Sequence, residues 1–178
     1  MKTFATTLIA LLIGVSAFAQ QDFPRNEVSL NLGSTVFVRY PVISYERILA
    51  PDFSVGASLG FGLADDHLMN FNLTPFARWF FGGRQRETLR GDAAGFFIEG
   101  NTALYSISQW NSTSRYHNGS WYFDGSYEST FDFGIGLGIG WKFVTRGNWT
   151  SEILIGGGRG LANDTGFLRG GLSVGRRF

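Results

Sequence analysis

The stretch that decides the fold covers residues 131–143 and reads Phe131-Asp132-Phe133-Gly134-Ile135-Gly136-Leu137-Gly138-Ile139-Gly140-Trp141-Lys142-Phe143. Every odd-numbered position carries a large apolar side chain, and every even-numbered position carries glycine or a charged residue. A period of two residues indicates a β-strand with two unlike faces. Because a face made mostly of glycine cannot solubilise a sheet, the pattern favours a closed barrel with its apolar face toward lipid.

The first residues have the organisation of a secretory signal peptide. Lys2 gives a short positive start, residues 8–15 are apolar, and Ala17-Phe18-Ala19 is a small-x-small cleavage site before Gln20. The apolar stretch is shorter than a bilayer-spanning helix, which disfavours the alternative of a helical anchor. The sequence therefore predicts residues 1–19 as a cleaved signal peptide and residues 20–178 as one mature domain.

Composition narrows the classes of function. The chain has 15 Lys and Arg and 14 Asp and Glu, so removing Lys2 with the signal peptide leaves 14 of each. A mature chain without net charge is a poor partner for nucleic acid. With no Cys and two His, disulfides and thiolate sites are excluded, and no metal or cofactor is expected. An exported chain with 44% hydrophobic residues, and with no later segment that is apolar for long enough to span a bilayer as a helix, indicates a Gram-negative outer-membrane barrel.

Alternating segments recur along the mature chain and predict eight antiparallel strands in an up-and-down transmembrane β-barrel. The segments are residues 27–33, 42–48, 53–62, 70–81, 95–109, 131–143, 150–161 and 167–178. An even number is usual for such barrels and places both termini on the periplasmic side. Pro75 removes one ladder donor, so a bulge or weak edge is expected there. In the fifth segment the alternation slips near Thr102.

The strand count also assigns the connections to the two sides of the membrane. Extracellular connections are predicted at residues 34–41, 63–69, 110–128 and 162–166, and periplasmic ones at 49–52, 82–94 and 145–149. Outer-membrane barrels have long outer loops and short inner turns. The charged connection 82–94 breaks this rule. Either the strand assignment is off by one there, or the connection is a real feature that faces the periplasm.

The chain ends in Phe178, which closes an alternating strand. A C-terminal aromatic residue in this context resembles the signal by which the barrel-assembly machinery recognises outer-membrane clients. The sequence therefore predicts Phe178 as an assembly signal and that machinery as a partner.

Four short stretches carry a resemblance to a family. They are Ser-Tyr-Glu-Arg at 44–47, Pro-Asp-Phe-Ser-Val-Gly at 51–56, Pro-Phe-Ala-Arg-Trp-Phe at 75–80 and Gly-Phe-Phe-Ile-Glu-Gly at 95–100. Over nearly the whole mature chain, the sequence resembles small outer-membrane β-barrel proteins with a domain of unknown function, OmpA/OmpX-like in architecture. Members often carry an acid after the proline of the fourth strand. Phe76 stands there, so the lumen partner of Arg78 has to come from elsewhere. The resemblance implies a fold and a location but no activity.

Side-chain parity assigns charged residues to the inside of the barrel. The inward face is predicted to hold four acids and four bases: Glu46, Arg78, Glu99, Asp132, Lys142, Glu152, Arg169 and Arg177. Buried charges are tolerable when they are matched and hydrogen-bonded. Because an eight-stranded barrel is just wide enough for side chains to fill, the sequence predicts a plug of ion pairs. Inward glycines are expected to leave room for the basic arms: Gly134, Gly136, Gly138, Gly140, Gly156 and Gly158.

Two alternatives to the plug stay open. A relay could pass protons or ions through the same charges. A soluble lipocalin-type barrel would instead bury its apolar face and expose a polar one. The third and sixth segments offer mostly Gly and Ser for such an outer face, which disfavours the soluble barrel.

The predicted loop 110–128 is the most distinctive surface. Its aromatic residues form a candidate surface-binding loop: Trp110, Tyr116, Trp121, Tyr122, Phe123 and Tyr127. Aromatic rings among Asn, Ser and Gly suit contacts with sugars, peptides or lipid headgroups. Candidate partners are outer-membrane lipid and lipopolysaccharide, or an extracellular or envelope protein or glycan. The alternative is that the rings belong to the interfacial girdle of the barrel.

Catalytic constellations are scarce. His117 and Ser120 put a base and a hydroxyl in one loop, but no third group positions them. His67 with its neighbouring aspartates could hold a divalent cation weakly, or simply be solvated. The sequence therefore predicts a non-enzymatic outer-membrane barrel with a polar, side-chain-filled lumen and a structural or surface-interaction role. A narrow pore for ions or small apolar molecules is the alternative, and a lipid-modifying hydrolase is the third candidate.

Overall fold

The barrel closes from eight antiparallel strands in chain order. A computed structural model describes residues 24–62, 69–81, 92–117, 120–163 and 165–178. The strands are β1 Asn26–Asn31, β2 Val42–Ala50, β3 Phe53–Phe61, β4 Met69–Phe81, β5 Gly95–His117, β6 Ser120–Val144, β7 Trp149–Gly160 and β8 Gly166–Arg177, and helix α1 Leu32–Phe37 follows β1. The predicted eight-stranded barrel is confirmed, and its strand order shows that an off-by-one assignment near 82–94 is wrong. We refer to the end with both strand termini, Asn26 and Arg177, as the terminal end and to the opposite end as the far end.

The two faces of β6 are as unlike as its sequence indicates. Leu137 is 69% exposed on the outside of the barrel, whereas Asp132 and Lys142 are buried within it. Exposed large apolar side chains also cover the outer positions of the neighbouring strands, among them Ile98 and Ile155. The soluble-barrel alternative is therefore wrong, because it requires the opposite arrangement.

β5 and β6 are longer than predicted. Their register runs without a break from the pair Gly95 and Lys142 to the pair His117 and Ser120. The prediction of a loop over 110–128 is wrong, because residues 110–117 and 120–128 continue β5 and β6 as a two-stranded ribbon beyond the apolar run. The aromatic residues of this segment favour strands. The Asn, Ser and Gly residues between them are typical of loops, and the sequence therefore predicts a loop.

The irregularities expected inside two strands do not change the register. The pairing of β4 with β5 keeps the same register on both sides of Pro75, and the bulge lies between Met69 and Phe71. β5 also passes Thr102 without a slip. The hydrophobic alternation fades there because the inward position Ala103 is itself apolar and buried, while side-chain orientation still alternates.

β1 is short, and α1 replaces the strand residues predicted at 32–33. The Asn31 side chain accepts a hydrogen bond from the Ser34 backbone N–H at 3.0 Å, which caps the helix. The helix contains no buried residue. No helix within the described ranges is long and apolar enough to cross a membrane. β8 pairs with β1 only between Ser173 and Arg177.

The inward glycines pack against rings and backbone, which corrects the expectation that they accommodate basic arms. A Cβ atom on Gly136 would lie 2.7 Å from the Gly157 carbonyl oxygen and 2.9 Å from the Phe167 ring. Gly140 faces the Phe97 ring in the same way. Small residues are needed on this face because large aromatic side chains from β5 and β8 already fill the space.

Adding a methyl group at two of these glycines should have unequal effects. We expect Gly136→Ala to lower the free energy of unfolding by about 1–3 kcal/mol, because backbone atoms would have to move. Gly138→Ala should cost about 1 kcal/mol or less, since its nearest contact is the flexible Leu154 Cδ1 at 3.1 Å. Urea unfolding of the refolded protein in detergent micelles measures both. Equal costs would contradict the packing of this face.

Candidate functional site: the charge network in the lumen

Arg78 of β4 lies at the centre of the lumen and binds three carboxylates. Its Nη1 is 2.5 Å from Glu46 Oε2, and its Nε is 2.9 Å from Glu99 Oε2. Glu152 binds it with both oxygens, at 2.8 Å from Nη1 and 2.9 Å from Nη2. These acids come from β2, β5 and β7, so one guanidinium connects strands that are not neighbours in the barrel.

Lys142 of β6 forms the second centre. Its Nζ lies 2.6 Å from Glu46, 3.1 Å from Glu27 and 3.2 Å from Glu152, and the residue is 0% exposed. The oxygens of the same three acids are close enough together to suit a metal ion. The ammonium group already contacts all three, so it supplies the positive charge that such a cluster needs.

Arg169 and Arg177 of β8 extend the network toward the two ends of the barrel. Arg169 binds Glu99 Oε1 through Nε at 2.6 Å and donates from Nη1 to the Ser58 hydroxyl at 2.6 Å. Arg177 binds Glu27 at 2.9 Å. It also donates to the carbonyl oxygens of residues 92 and 93, at 2.6 and 2.8 Å.

Glu27 belongs to the lumen network but is absent from the predicted set of inward charges. It stands at the first position of the predicted first strand. Because its neighbour Val28 faces outward, parity alone would have placed Glu27 inside. It is buried and binds both Lys142 and Arg177.

Asp132 lies inside the barrel as predicted but holds a turn rather than a cation. Its carboxylate accepts hydrogen bonds from Thr165 Oγ1 at 2.6 Å and from the Ala162 backbone N–H at 3.0 Å. It thereby fixes the β7–β8 turn at the far end. The ion-pair network of the described residues contains four acids and four bases: Glu27, Glu46, Glu99, Glu152, Arg78, Lys142, Arg169 and Arg177.

Phe76 stands at the position where the resemblance predicts an acid. Its ring centroid lies 4.3 Å from the Arg78 guanidinium carbon and 5.1 Å from that of Arg169. Such positions give an attractive cation–π contact. The acids that neutralise Arg78 come from other strands, and Phe76 adds a stacking surface between two bases.

An apolar cluster packs beside the network, with the Phe97 ring centroid 4.7 Å from the Arg78 guanidinium carbon and the Phe80 ring centroid 5.7 Å from Lys142 Nζ. Ile48, Phe80, Ala93, Phe97 and Leu154 form one buried cluster. The Ala93 backbone N–H donates to the Pro51 carbonyl oxygen at 2.7 Å. The described end of connection 82–94 is therefore folded into the terminal mouth, which makes this connection a real feature of that end.

The other candidate residues lie away from this network. Register places Trp110 opposite Tyr127 and Tyr116 opposite Trp121 in the β5–β6 ribbon, and His117 opposite Ser120 beside its tip. The side chains of all six candidate aromatic residues lie outside the described part of the structure, and so does the cation candidate at 65–67. Backbone hydrogen bonds pair Phe178 with Asn26, at 2.8 and 3.1 Å, where β1 and β8 close the barrel.

Comparison with known proteins supports the fold. No family model matches the chain, and no curated protein sequence matches it. Among solved structures, the chain is similar to the N-terminal β-barrel domain of Pseudomonas aeruginosa OprF, with a TM-score of 0.60 and 17% identity over 89% of this chain and 100% of that chain. This likeness shows the fold, a closed β-barrel. The resemblance to a family with a domain of unknown function stays a prediction.

Proposed function

We propose that the chain is a non-enzymatic protein of the bacterial outer membrane that holds the β5–β6 ribbon at the cell surface on a rigid, filled barrel. The observation that carries the proposal is the ion-pair network. Arg78 and Lys142 bind acids across the lumen rather than along the wall, and such cross-barrel pairs fill an eight-stranded barrel. The ion pairs that cross the lumen disfavour the alternative of a narrow pore.

The outer surface supports a location in lipid. Large apolar side chains are exposed on outward strand positions, as in barrels that span the outer membrane. In this orientation the terminal end faces the periplasm and the far end faces the outside. Phe178 then lies at the periplasmic rim, where it serves as the signal for the barrel-assembly machinery.

The ribbon supports a role in surface interaction. Phe131, the first residue of the apolar run, pairs with Ser106, and β5 continues from Ile107 to His117. At about 3.3 Å per residue, this length carries the ribbon roughly 35 Å beyond the apolar run. Its aromatic residues with Asn, Ser and Gly suit binding to lipopolysaccharide, a glycan or another envelope protein.

Cysteine labelling on intact cells tests the location and the orientation together. The chain has no Cys, so single substitutions give an unambiguous signal. Ser114→Cys lies at an exposed position of the ribbon, and Arg146→Cys lies at an exposed position of the β6–β7 turn at the terminal end. We expect a membrane-impermeant maleimide to label Cys at 114 on whole cells and to reach Cys at 146 only after permeabilisation.

Labelling at 146 but not at 114 on whole cells would contradict the orientation. Recovery of the mature protein from the soluble periplasm, rather than from outer membranes, would contradict the location. Heat-modifiable migration on gels shows that each variant is folded before it is labelled.

A further inference from the structure

The barrel wall is interrupted beside α1. β1 ends at Asn31, which pairs with Ser173, whereas β8 continues from Leu172 to Gly166 without a β1 residue opposite it. Asn31 Nδ2 donates to the Gly170 carbonyl oxygen at 2.9 Å, and Gly33 approaches the Leu172 backbone. We call this contact between α1 and residues 166–172 the seam. A strand ladder does not close the seam, so it is a weaker part of the wall than the paired strands.

A cavity of about 380 Å³ lies behind the seam. It reaches from Asn31 and Ser34 beside α1 to the ion pairs of Arg78 and Arg169. Leu168 also lines it, although this residue points outward on β8 and is 89% exposed. The cavity therefore reaches the outer face of the wall at the seam.

The opening lies within the apolar band of the barrel. Leu168 pairs with Gly157, which in turn pairs with Leu137 at the middle of the apolar run of β6. Exposed apolar residues of α1 flank the opening, including Phe37 at 87% exposure. A molecule that uses this opening would approach from lipid rather than from water.

The lining combines apolar and polar side chains. Val38 and Leu168 lie at the seam with Asn31 and Ser34, whereas Ser44 lines the cavity from β2 and Ser58 from β3. The Arg169 side chain comes from β8 and reaches Ser58 and Glu99 inside the barrel. The Arg169 side chain is 11% exposed, more than the other three bases of the network. Its Nη1 donates to the neutral Ser58 hydroxyl, and a carboxylate is a stronger acceptor for a guanidinium than a hydroxyl is.

We propose that this cavity binds a long-chain monocarboxylate, with its carboxylate on Arg169 and its hydrocarbon chain lying through the seam toward lipid. The volume is at the lower end of the roughly 300–1,000 Å³ typical of ligand pockets, which suits one chain. The proposal rests on the outer-membrane location proposed above, because lateral access requires lipid at the seam.

Nitroxide-labelled stearate is the probe that tests the site. The full mature protein is refolded into phosphatidylcholine vesicles, and the motionally restricted fraction of the probe is measured by electron paramagnetic resonance. We expect saturable binding of about one probe per barrel, and at least tenfold weaker binding of the methyl ester of the same probe. Ser44→Phe fills the cavity and should weaken stearate binding at least tenfold. Ser151→Phe, the same change on the outward face of β7, should leave it unchanged.

The outcomes separate the two proposals. Failure of the wild type to insert into vesicles overturns the location. If the protein inserts and Ser44→Phe binds stearate as tightly as Ser151→Phe does, the cavity is not the binding site. Equal binding of acid and ester overturns recognition by Arg169, and this comparison uses the wild type alone, so it stands even if Ser44→Phe does not fold.

Discussion

Replacing Arg78 with methionine should lower the free energy of unfolding by about 3–5 kcal/mol. The change removes the guanidinium that binds Glu46, Glu99 and Glu152 and leaves their charges buried with too few cations. The penalty comes from uncompensated buried charge rather than from the loss of contacts. Equilibrium urea unfolding in detergent micelles measures it. Arg47→Met, on the exposed face of β2, is the matched control and should stay within about 0.5 kcal/mol of wild type.

Removing an acid together with Arg78 should restore part of this stability. Glu152 binds Arg78 through both oxygens, so the two side chains are directly coupled. The double variant Arg78→Met with Glu152→Gln should cost less than the sum of the two single variants, by about 0.5–3 kcal/mol. Small, additive effects would mean that these side chains are solvated and that the lumen is wetter than the network indicates.

Leu137→Arg should lower the free energy of unfolding in lipid vesicles by about 2–4 kcal/mol, because it places a charge at mid-membrane on the lipid face. Leu161→Arg offers a matched control. Leu161 is also exposed, but it lies in the β7–β8 turn at the far end. Near the membrane boundary the same substitution should cost about 0–1 kcal/mol. Equal costs at the two positions would show that the apolar run does not span the hydrocarbon layer.

Side-chain parity explains why the residues inside the barrel could be predicted from the sequence. Neighbouring residues of a strand point to opposite faces. Once the apolar face of β6 is assigned to lipid, Lys142 must point inward, and the same rule applies to Arg78 and Glu99. Parity does not predict which inward charges bind each other. Lys142 binds Glu27 only because barrel closure brings β1 near β6, and this depends on the register of every strand between them.

The missed elements depend on contacts that are distant in sequence. α1 contains the β-branched residues Thr35 and Val36, which favour strands over helices. It forms where Asn31 caps it and also binds Gly170 of β8. The role of Asp132 is hidden for the same reason, because its partners lie in a turn about 30 residues later in the chain. Local sequence patterns carry no information about the contact of Asn31 with Gly170 or about the turn residues that bind Asp132.

Planar-bilayer conductance tests most directly the central claim that side chains close the lumen to ions. The wild-type barrel should pass no steady ionic current, because Arg78, Lys142 and their acids cross the lumen and the apolar cluster that includes Phe97 packs against them. A steady, ion-selective current through the wild type, changed in size or selectivity by Arg78→Ala, would contradict the closed lumen and establish a pore.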